Sequence, residues 1–284
     1  MSHDHANYSV AQKLSQNGHE IAVHSVTHNP GRDYWKNATT EEWGKEMSGM
    51  RAYLRWYANL SRPIYGMRVP HFRVYGENQF LMMQEQGFLY DSSIAAPHHS
   101  PPLWPYTLHS RVPHRCSPGQ RCPVKIHPVW EMVVNRIDGK CVLDCNGNHG
   151  GKFSGNKFYE FLNKKFKRHY EYNRAPFGIY RHWDEFKNAP GSLEILIKWI
   201  DDILAKHDDV YFVTMIDVIR WIQNPSKLET VKDFEPWKDK CTDFSPMSSP
   251  ICAGKVNRCD VHRKNDTKMY SFDTCLPCPK FFPW

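Results

Sequence analysis

The sequence predicts an α/β fold built on a parallel sheet. First, short apolar runs alternate with amphipathic segments, which is the pattern of strand–helix–strand units. Second, several of these runs lead straight into polar residues suited to chemistry, above all His24 and His28 after residues 21–23. The C-terminal ends of strands are where α/β barrels keep their sites. Third, 284 residues are enough to bury a full core without external help.

In chain order, residues 7–16 carry Val10 and Leu14 at helical spacing and end at Asn17-Gly18, a C-cap signal. A buried strand over 21–23 and the His24/His28 loop follow. Thr39 with Glu42 forms a capping box. Trp43, Met47, Met50, Leu54 and Tyr57 then mark one face of a helix that reaches about Leu60 and is stopped by Pro63. Residues 64–67 are a strand leading to Arg68-Val69-Pro70-His71. A helix over 77–86, carrying Phe80, Leu81 and Met83, stops at Gly87. Residues 88–90 are a strand leading to Asp91-Ser92-Ser93. The Pro- and His-rich stretch 95–115 is too long for a mere connector and is a candidate binding loop. Strands are expected at 124–126 and 129–134, the latter around Trp130, with a Gly-rich loop at 139–152.

Residues 155–172 form a helix with Phe158, Phe161, Leu162 and Phe166 inward. A strand over 177–180 delivers His182. Ser192 caps a helix to about Lys206 whose apolar positions are Leu193, Leu196, Ile197, Ile200 and Leu204. The last strand is 210–213. Thr214 with Asp217 caps the last helix, with Met215, Val218, Ile219 and Ile222 inward, and Pro225 ends it. The remainder to Trp284 is poor in periodic pattern. The expected organisation is one α/β domain over 1–225 and an extension over 226–284 stapled across it.

The net charge of +7 is spread along the chain. Its densest cluster, Lys164-Lys165-Phe166-Lys167-Arg168, reads as a solvated helix face, so no nucleic-acid partner is expected. No apolar run reaches the length of a membrane span, so no membrane partner is expected either. Nine cysteines stand at 116, 122, 141, 145, 241, 252, 259, 275 and 278. The pairs 116/122 and 141/145 can close locally. Cys275-Leu-Pro-Cys278 has the spacing of a zinc or redox CxxC. However, it follows no strand–helix unit and lies in a Pro-rich tail, which favours disulfides. Sequons at Asn37, Asn59 and Asn265 fit a secreted, glycosylated protein. Met1-Ser2-His3-Asp4-His5 is no signal peptide. With the odd cysteine count, this leads us to expect a longer natural N-terminus.

The motifs as a set identify a family. His24 and His28, four residues apart, suit a shared ion, since neutral imidazole is the commonest protein metal ligand. Taken singly, they are also compatible with loop histidines in a chain that has 16. His24-Ser25-Val26-Thr27-His28 fits H-[ST]-x-x-H, and Arg68-Val69-Pro70-His71 matches R-x-P-[FY] apart from its last residue. The chain thus resembles the polysaccharide deacetylases of carbohydrate esterase family four, with the arthropod chitin deacetylases the closest in pattern. Phe88-Leu89-Tyr90-Asp91-Ser92-Ser93, Val129-Trp130-Glu131, Trp221-Ile222-Gln223-Asn224-Pro225 and the Cys275–Cys278 tail carry the arthropod likeness.

The resemblance implies a distorted (β/α) barrel and hydrolysis of the N-acetyl groups of chitin or chito-oligosaccharides by a secreted monomer. It implies a divalent metal, zinc in the usual case, on His24 and His28. His182 is implied as the acid that protonates the leaving amine, and Arg68 as the partner of an Asp base. The backbone N–H of His71 is implied as an oxyanion donor and Trp130 as a wall of the acetyl pocket. The family's Thr-Phe-Asp-Asp strand, which carries the base and the third metal ligand, is expected upstream of residue 1. His71 stands where an aromatic is usual, Tyr75 replaces a glycine, and Arg181 and Trp183 flank His182. A protein without that strand reads instead as a chitin-binding homologue that does not cleave.

Overall fold

The computed structural model describes residues 5–97, 101–135, 156–181, 183–238, 252, 255–262 and 267–280. His182, the 141/145 cysteines, Cys241, Asn265 and the 139–152 loop lie outside the described residues.

Helix α1 (Tyr8–Gln16) begins where the Asn7 side chain accepts the Val10 N–H, and it ends at Asn17 with Gly18 at φ 88°. A six-residue helix, α2 (Arg32–Asn37), buries Trp35; it is too short to show a period in the sequence. In α3 (Thr40–Tyr57) both arms of the Thr39/Glu42 capping box are present. All five residues of its apolar stripe, from Trp43 to Tyr57, are buried, and Glu46 is buried among them.

Strand β1 (Gly66–Met67) follows, then α4 (Glu77–Gln86), β2 (Tyr90–Asp91), β3 (Tyr106–Thr107) and β4 (Trp130–Glu131). The sheet order is β1-β2-β4-β3. Strands β1, β2 and β4 run parallel, and β3 runs antiparallel to β4. Val23 extends the sheet past β1 by a parallel bridge to Met67. Its N–H donates to Gly66 O at 3.1 Å, and its carbonyl accepts from Arg68 N at 3.0 Å. Gly66 is required here because a Cβ at that position would overlap the Tyr90 ring. In-register pairing sets Asp91 beside Glu131 on one face and Tyr90 beside Trp130 on the other.

The second half of the chain adds α5 (Asn156–Tyr172), α6 (Trp183–Asn188), α7 (Ser192–Lys206) and α8 (Met215–Gln223). Phe158 and Leu162 of α5 pack on Trp199 and Ile203 of α7. Thr214 caps α8 by accepting the Asp217 N–H, as its sequence indicates. No helix among the described residues is long and apolar enough to cross a membrane.

Several elements differ from expectation. Strand 124–126 is absent: Val124 and Ile126 are 79% and 66% exposed, and the Glu77 carboxylate holds the Val124 and Lys125 N–H groups instead. Residues 177–180 and 210–213 are not strands. The 95–115 stretch is not wholly loop, because β3 lies within it. In the basic cluster Lys165 is buried, its ammonium 5.2 Å from the Phe161 ring centroid, so only part of that face is solvated. On α4, Leu81 turns outward while Gln79 and Met82 are buried. On α8 the fully buried positions are Ile216, Asp217 and Ile219, because Glu20 takes the Ile216 N–H at 3.1 Å and draws that end inward.

Near the C-terminus, β5 (Asn257–His262) and β6 (Met269–Thr274) form an antiparallel hairpin. Disulfides Cys252–Cys275 and Cys259–Cys278 staple it, so the two CxxC cysteines bond to different partners rather than to each other or to an ion. The hairpin packs on α1 and α3. The fully buried Phe272 lies against the Tyr8 and Tyr57 rings, and Thr274 Oγ1 donates to Tyr57 O at 2.8 Å. The chain's start joins it, with Asp273 N–H donating to Ala6 O at 2.9 Å. Phe272→Ala is therefore expected to cost about 3–5 kcal/mol by cavity formation. Denaturant titration at constant slope checks this.

Candidate active site

The His24–His28 loop leaves the sheet at Val23. Its turns use left-handed backbone at Ser25 (φ 70°) and His28 (φ 49°), and such conformations persist only where the surroundings hold them. Glu46 supplies that hold from the buried face of α3. Its Oε2 accepts the Val26 and Thr27 N–H groups, both at 3.0 Å, and its Oε1 accepts the Thr27 and Tyr34 hydroxyls at 2.6 and 2.8 Å. Ser25 Oγ accepts the His28 N–H at 2.9 Å. Glu46 has a sequence signal that helical periodicity alone passes over: it is a carboxylate on the apolar face of a helix. Glu46→Ala is expected to cost about 2–4 kcal/mol, since it leaves buried donors unmet. It should also loosen the histidine pair, so that any divalent-metal affinity of the pair falls together with stability. Calorimetric zinc titration alongside thermal unfolding separates the two effects.

The structure brings three of the nominated histidines together. The rings of His24 and His28 are 4.9 Å apart, and those of His28 and His71 are 4.7 Å apart. His24 Nδ1 lies 2.8 Å from Arg68 O. A carbonyl can only accept, so Nδ1 carries the proton and Nε2 keeps its lone pair. Burial pushes the His24 imidazole well below its ordinary value, which keeps it neutral at pH 7. His71 and Phe72 both have positive φ (55° and 53°), so the chain turns sharply after Pro70 and carries His71 over His28.

Arg68 sits at the end of β1. Its Nε donates to Ser92 O at 2.8 Å and its Nη2 to Ser92 Oγ at 2.9 Å. The guanidinium stacks 4.6 Å from the Tyr180 ring centroid. Among the described residues no carboxylate lies within ion-pair distance of it. Tyr180 carries no site motif in the sequence, yet it brings the 177–180 segment to Arg68. Gly178 is needed for this, because a Cβ there would come within 2.6 Å of the Tyr180 hydroxyl.

Beneath Arg68 lies a buried acid pair. Ser93 Oγ donates to Asp91 Oδ1 at 2.5 Å and accepts the Val69 N–H at 2.9 Å. Gln79 Nε2 donates to Asp91 Oδ2 at 3.1 Å. Glu131 Oε1 accepts the Ser93 and Ile94 N–H groups at 3.2 and 3.0 Å. Burial pushes Asp91 up to about 6 and raises Glu131 well above the usual carboxylate range. Of the two, Glu131 is pushed further toward its protonated form, by burial and by the neighbouring Asp91 charge.

The other nominated residues stand as follows. Trp130 is half-buried and packs with Tyr90, Ile216 and Ile219 on the sheet face opposite Glu131. It makes no ring contact with the three histidines among the described residues. His182 lies outside the described residues. Metal ligation is compatible with the histidine pair: a ligating His commonly gives its other ring N–H to a backbone carbonyl, as His24 does to Arg68 O. Among the described residues no third His, Cys, Asp or Glu joins them to complete a three-ligand group.

No family model matches the chain. Over its whole length the chain is 46% identical to chitin deacetylase 1 of Bombyx mori, of which it spans 54%. It is 26% identical to chitin deacetylase 8 of the same organism, of which it spans 74%. The chain is thus similar over its whole length to two chitin deacetylases of an arthropod. It spans about half the length of the more similar of these two relatives.

Proposed function

We propose that this chain forms most of the deacetylase domain of a secreted, disulfide-bonded enzyme that hydrolyses the N-acetyl groups of chitin or chito-oligosaccharides to acetate and free amine. We read residues 1–225 as a distorted (β/α) barrel, with 226–284 as an extension docked on it, and the protein as a monomer. The observation that carries the reading is the His24–His28 pair at the end of a parallel strand position, with His24 fixed in tautomer by Arg68 O and the two rings 4.9 Å apart.

In this reading His24 and His28 hold a divalent ion, and zinc suits imidazole ligands. The bound ion supplies Lewis-acid polarisation of the acetamide oxygen and of the attacking water. The chain's own residues do the rest. The His71 backbone N–H donates to the oxygen that gains negative charge. His182 gives a proton to the departing amine nitrogen. Arg68, held by Ser92 and Tyr180, orients the carboxylate base, and Trp130 lines the acetyl pocket. The relatives' names supply the substrate class, and the geometry supports the chemistry.

The absence of a third ligand among the described residues favours one other reading, a homologue that binds chitin without cleaving it. Incubating the full-length protein with chitin oligosaccharides and added zinc separates the two. Acetate release supports the enzyme. Retention on chitin beads with no acetate at any divalent metal supports the binder.

A further inference from the structure

We propose that Gln120 is a positioning residue of this site: it holds the left-handed His71–Phe72 turn from outside, and the Cys116–Cys122 disulfide closes the loop that presents it. The inference rests on the reading of the His71 N–H as an oxyanion donor. Two consecutive non-glycine residues at positive φ are strained and persist only where the surroundings hold them. Within the turn Phe72 N–H reaches Val69 O at 3.3 Å, Arg73 N–H reaches Pro70 O at 3.1 Å and Val74 N–H reaches Phe72 O at 3.0 Å. Gln120 adds a hold from outside the turn.

The Gln120 amide nitrogen donates to Phe72 O and to Ser93 O, both at 2.8 Å, and its oxygen accepts the Ala95 N–H at 3.1 Å. Both of its N–H groups and its carbonyl are in use. The side chain thus pins the turn after β1 to the segment after β2, the same segment whose Ser92 holds Arg68. The loop that carries Gln120 is anchored to both segments as well. Ser117 Oγ donates to Ala95 O at 2.8 Å, Arg121 N–H to Val74 O at 2.9 Å, and Gly76 N–H to Arg121 O at 2.6 Å. The disulfide joins residues six apart and so limits how far this loop can open. Without the amide, the turn can relax toward negative φ. That change moves both the His71 N–H and the ring that lies over His28. A displacement of about 1 Å at a reacting group costs on the order of a hundredfold in rate.

The test uses the full-length protein with Gln120→Ala, Gln120→Glu and, as a destabilised control in the distant hairpin, Phe272→Leu. Gln120→Glu keeps the shape and the acceptor but not the two donors. The expected result is a fall in kcat of roughly tenfold to a hundredfold in both Gln120 variants, with KM within about twofold, while Phe272→Leu lowers the melting temperature and leaves kcat unchanged. The ring-proton NMR signals of His71 and His28 are expected to shift in Gln120→Ala and to stay put in Phe272→Leu. Wild-type kcat in Gln120→Glu overturns the proposal, as does a Gln120→Ala variant that behaves like the control. If the wild type releases no acetate, the functional reading fails separately and the NMR comparison decides alone. Unmoved His71 and His28 signals in Gln120→Ala then overturn the positioning role.

Discussion

Replacing His24 with alanine is expected to lower acetate release by at least on the order of a hundredfold and to remove bound zinc, while the protein stays folded. A catalytic zinc usually has three protein ligands, so losing one that is already oriented by Arg68 O leaves the ion weakly held. His28→Ala is expected to act the same way. The pH dependence has a definite sign. Burial lowers the His24 imidazole well below its ordinary value of 6.5. The unfolded chain therefore takes up its proton first as pH falls, and the metal-free protein loses stability below about 6.5. At neutral pH His24 is already deprotonated, so metal binding need not displace a proton from it. Zinc content after dialysis, acetate assays and thermal melts at pH 5 and 7 check these points. A His24→Ala variant with undiminished activity would remove His24 from the site.

The second large effect is expected at the acid pair. Glu131→Ala should cost about 3 kcal/mol or more, since it opens a cavity and strips the Ser93 and Ile94 N–H groups of their acceptor. Glu131→Gln should cost much less, because its amide keeps the shape and the oxygen that accepts the Ser93 and Ile94 N–H groups. The raised values mean that the folded protein holds these protons to higher pH than the unfolded chain. For Asp91 the contribution is full below its unfolded value of 3.8 and is lost as pH rises through about 6. Glu131→Gln is expected to flatten that slope. Urea titrations of both variants from pH 4 to pH 8 measure it. Equal losses for the two variants would show that the lost acceptor and the cavity do not account for the cost. The pair matters to the site because Ser93, bonded to Asp91, accepts the Val69 N–H next to Arg68.

The parts of this fold that are legible in the sequence are those with local causes. The Thr39/Glu42 capping box, the Asn17-Gly18 stop and the stripe from Trp43 to Tyr57 depend on neighbours within a turn or two, and all appear as read. Strands read less well because their pairing is non-local. Residues 124–126 look like a strand by composition, but the Glu77 carboxylate captures the backbone N–H groups there. The site divides along the same line. His24, His28 and Arg68 are legible as motifs at strand ends. Their supports are not: Glu46, Asp91, Ser93, Glu131, Tyr180 and Gln120 act across separations that no spacing rule connects. Gln120 reaches Phe72 from 48 positions away, and Glu46 reaches Val26 from 20.

The most direct test of the central reading is zinc X-ray absorption on the full-length protein, with zinc quantified per chain. The expected result is one zinc per chain with imidazole nitrogen at about 2.0–2.1 Å, lost when His24 and His28 are both replaced by alanine. A zinc shell and stoichiometry unchanged by that double substitution, or no zinc bound at any pH near neutrality, would contradict the assignment of His24 and His28 as the metal centre.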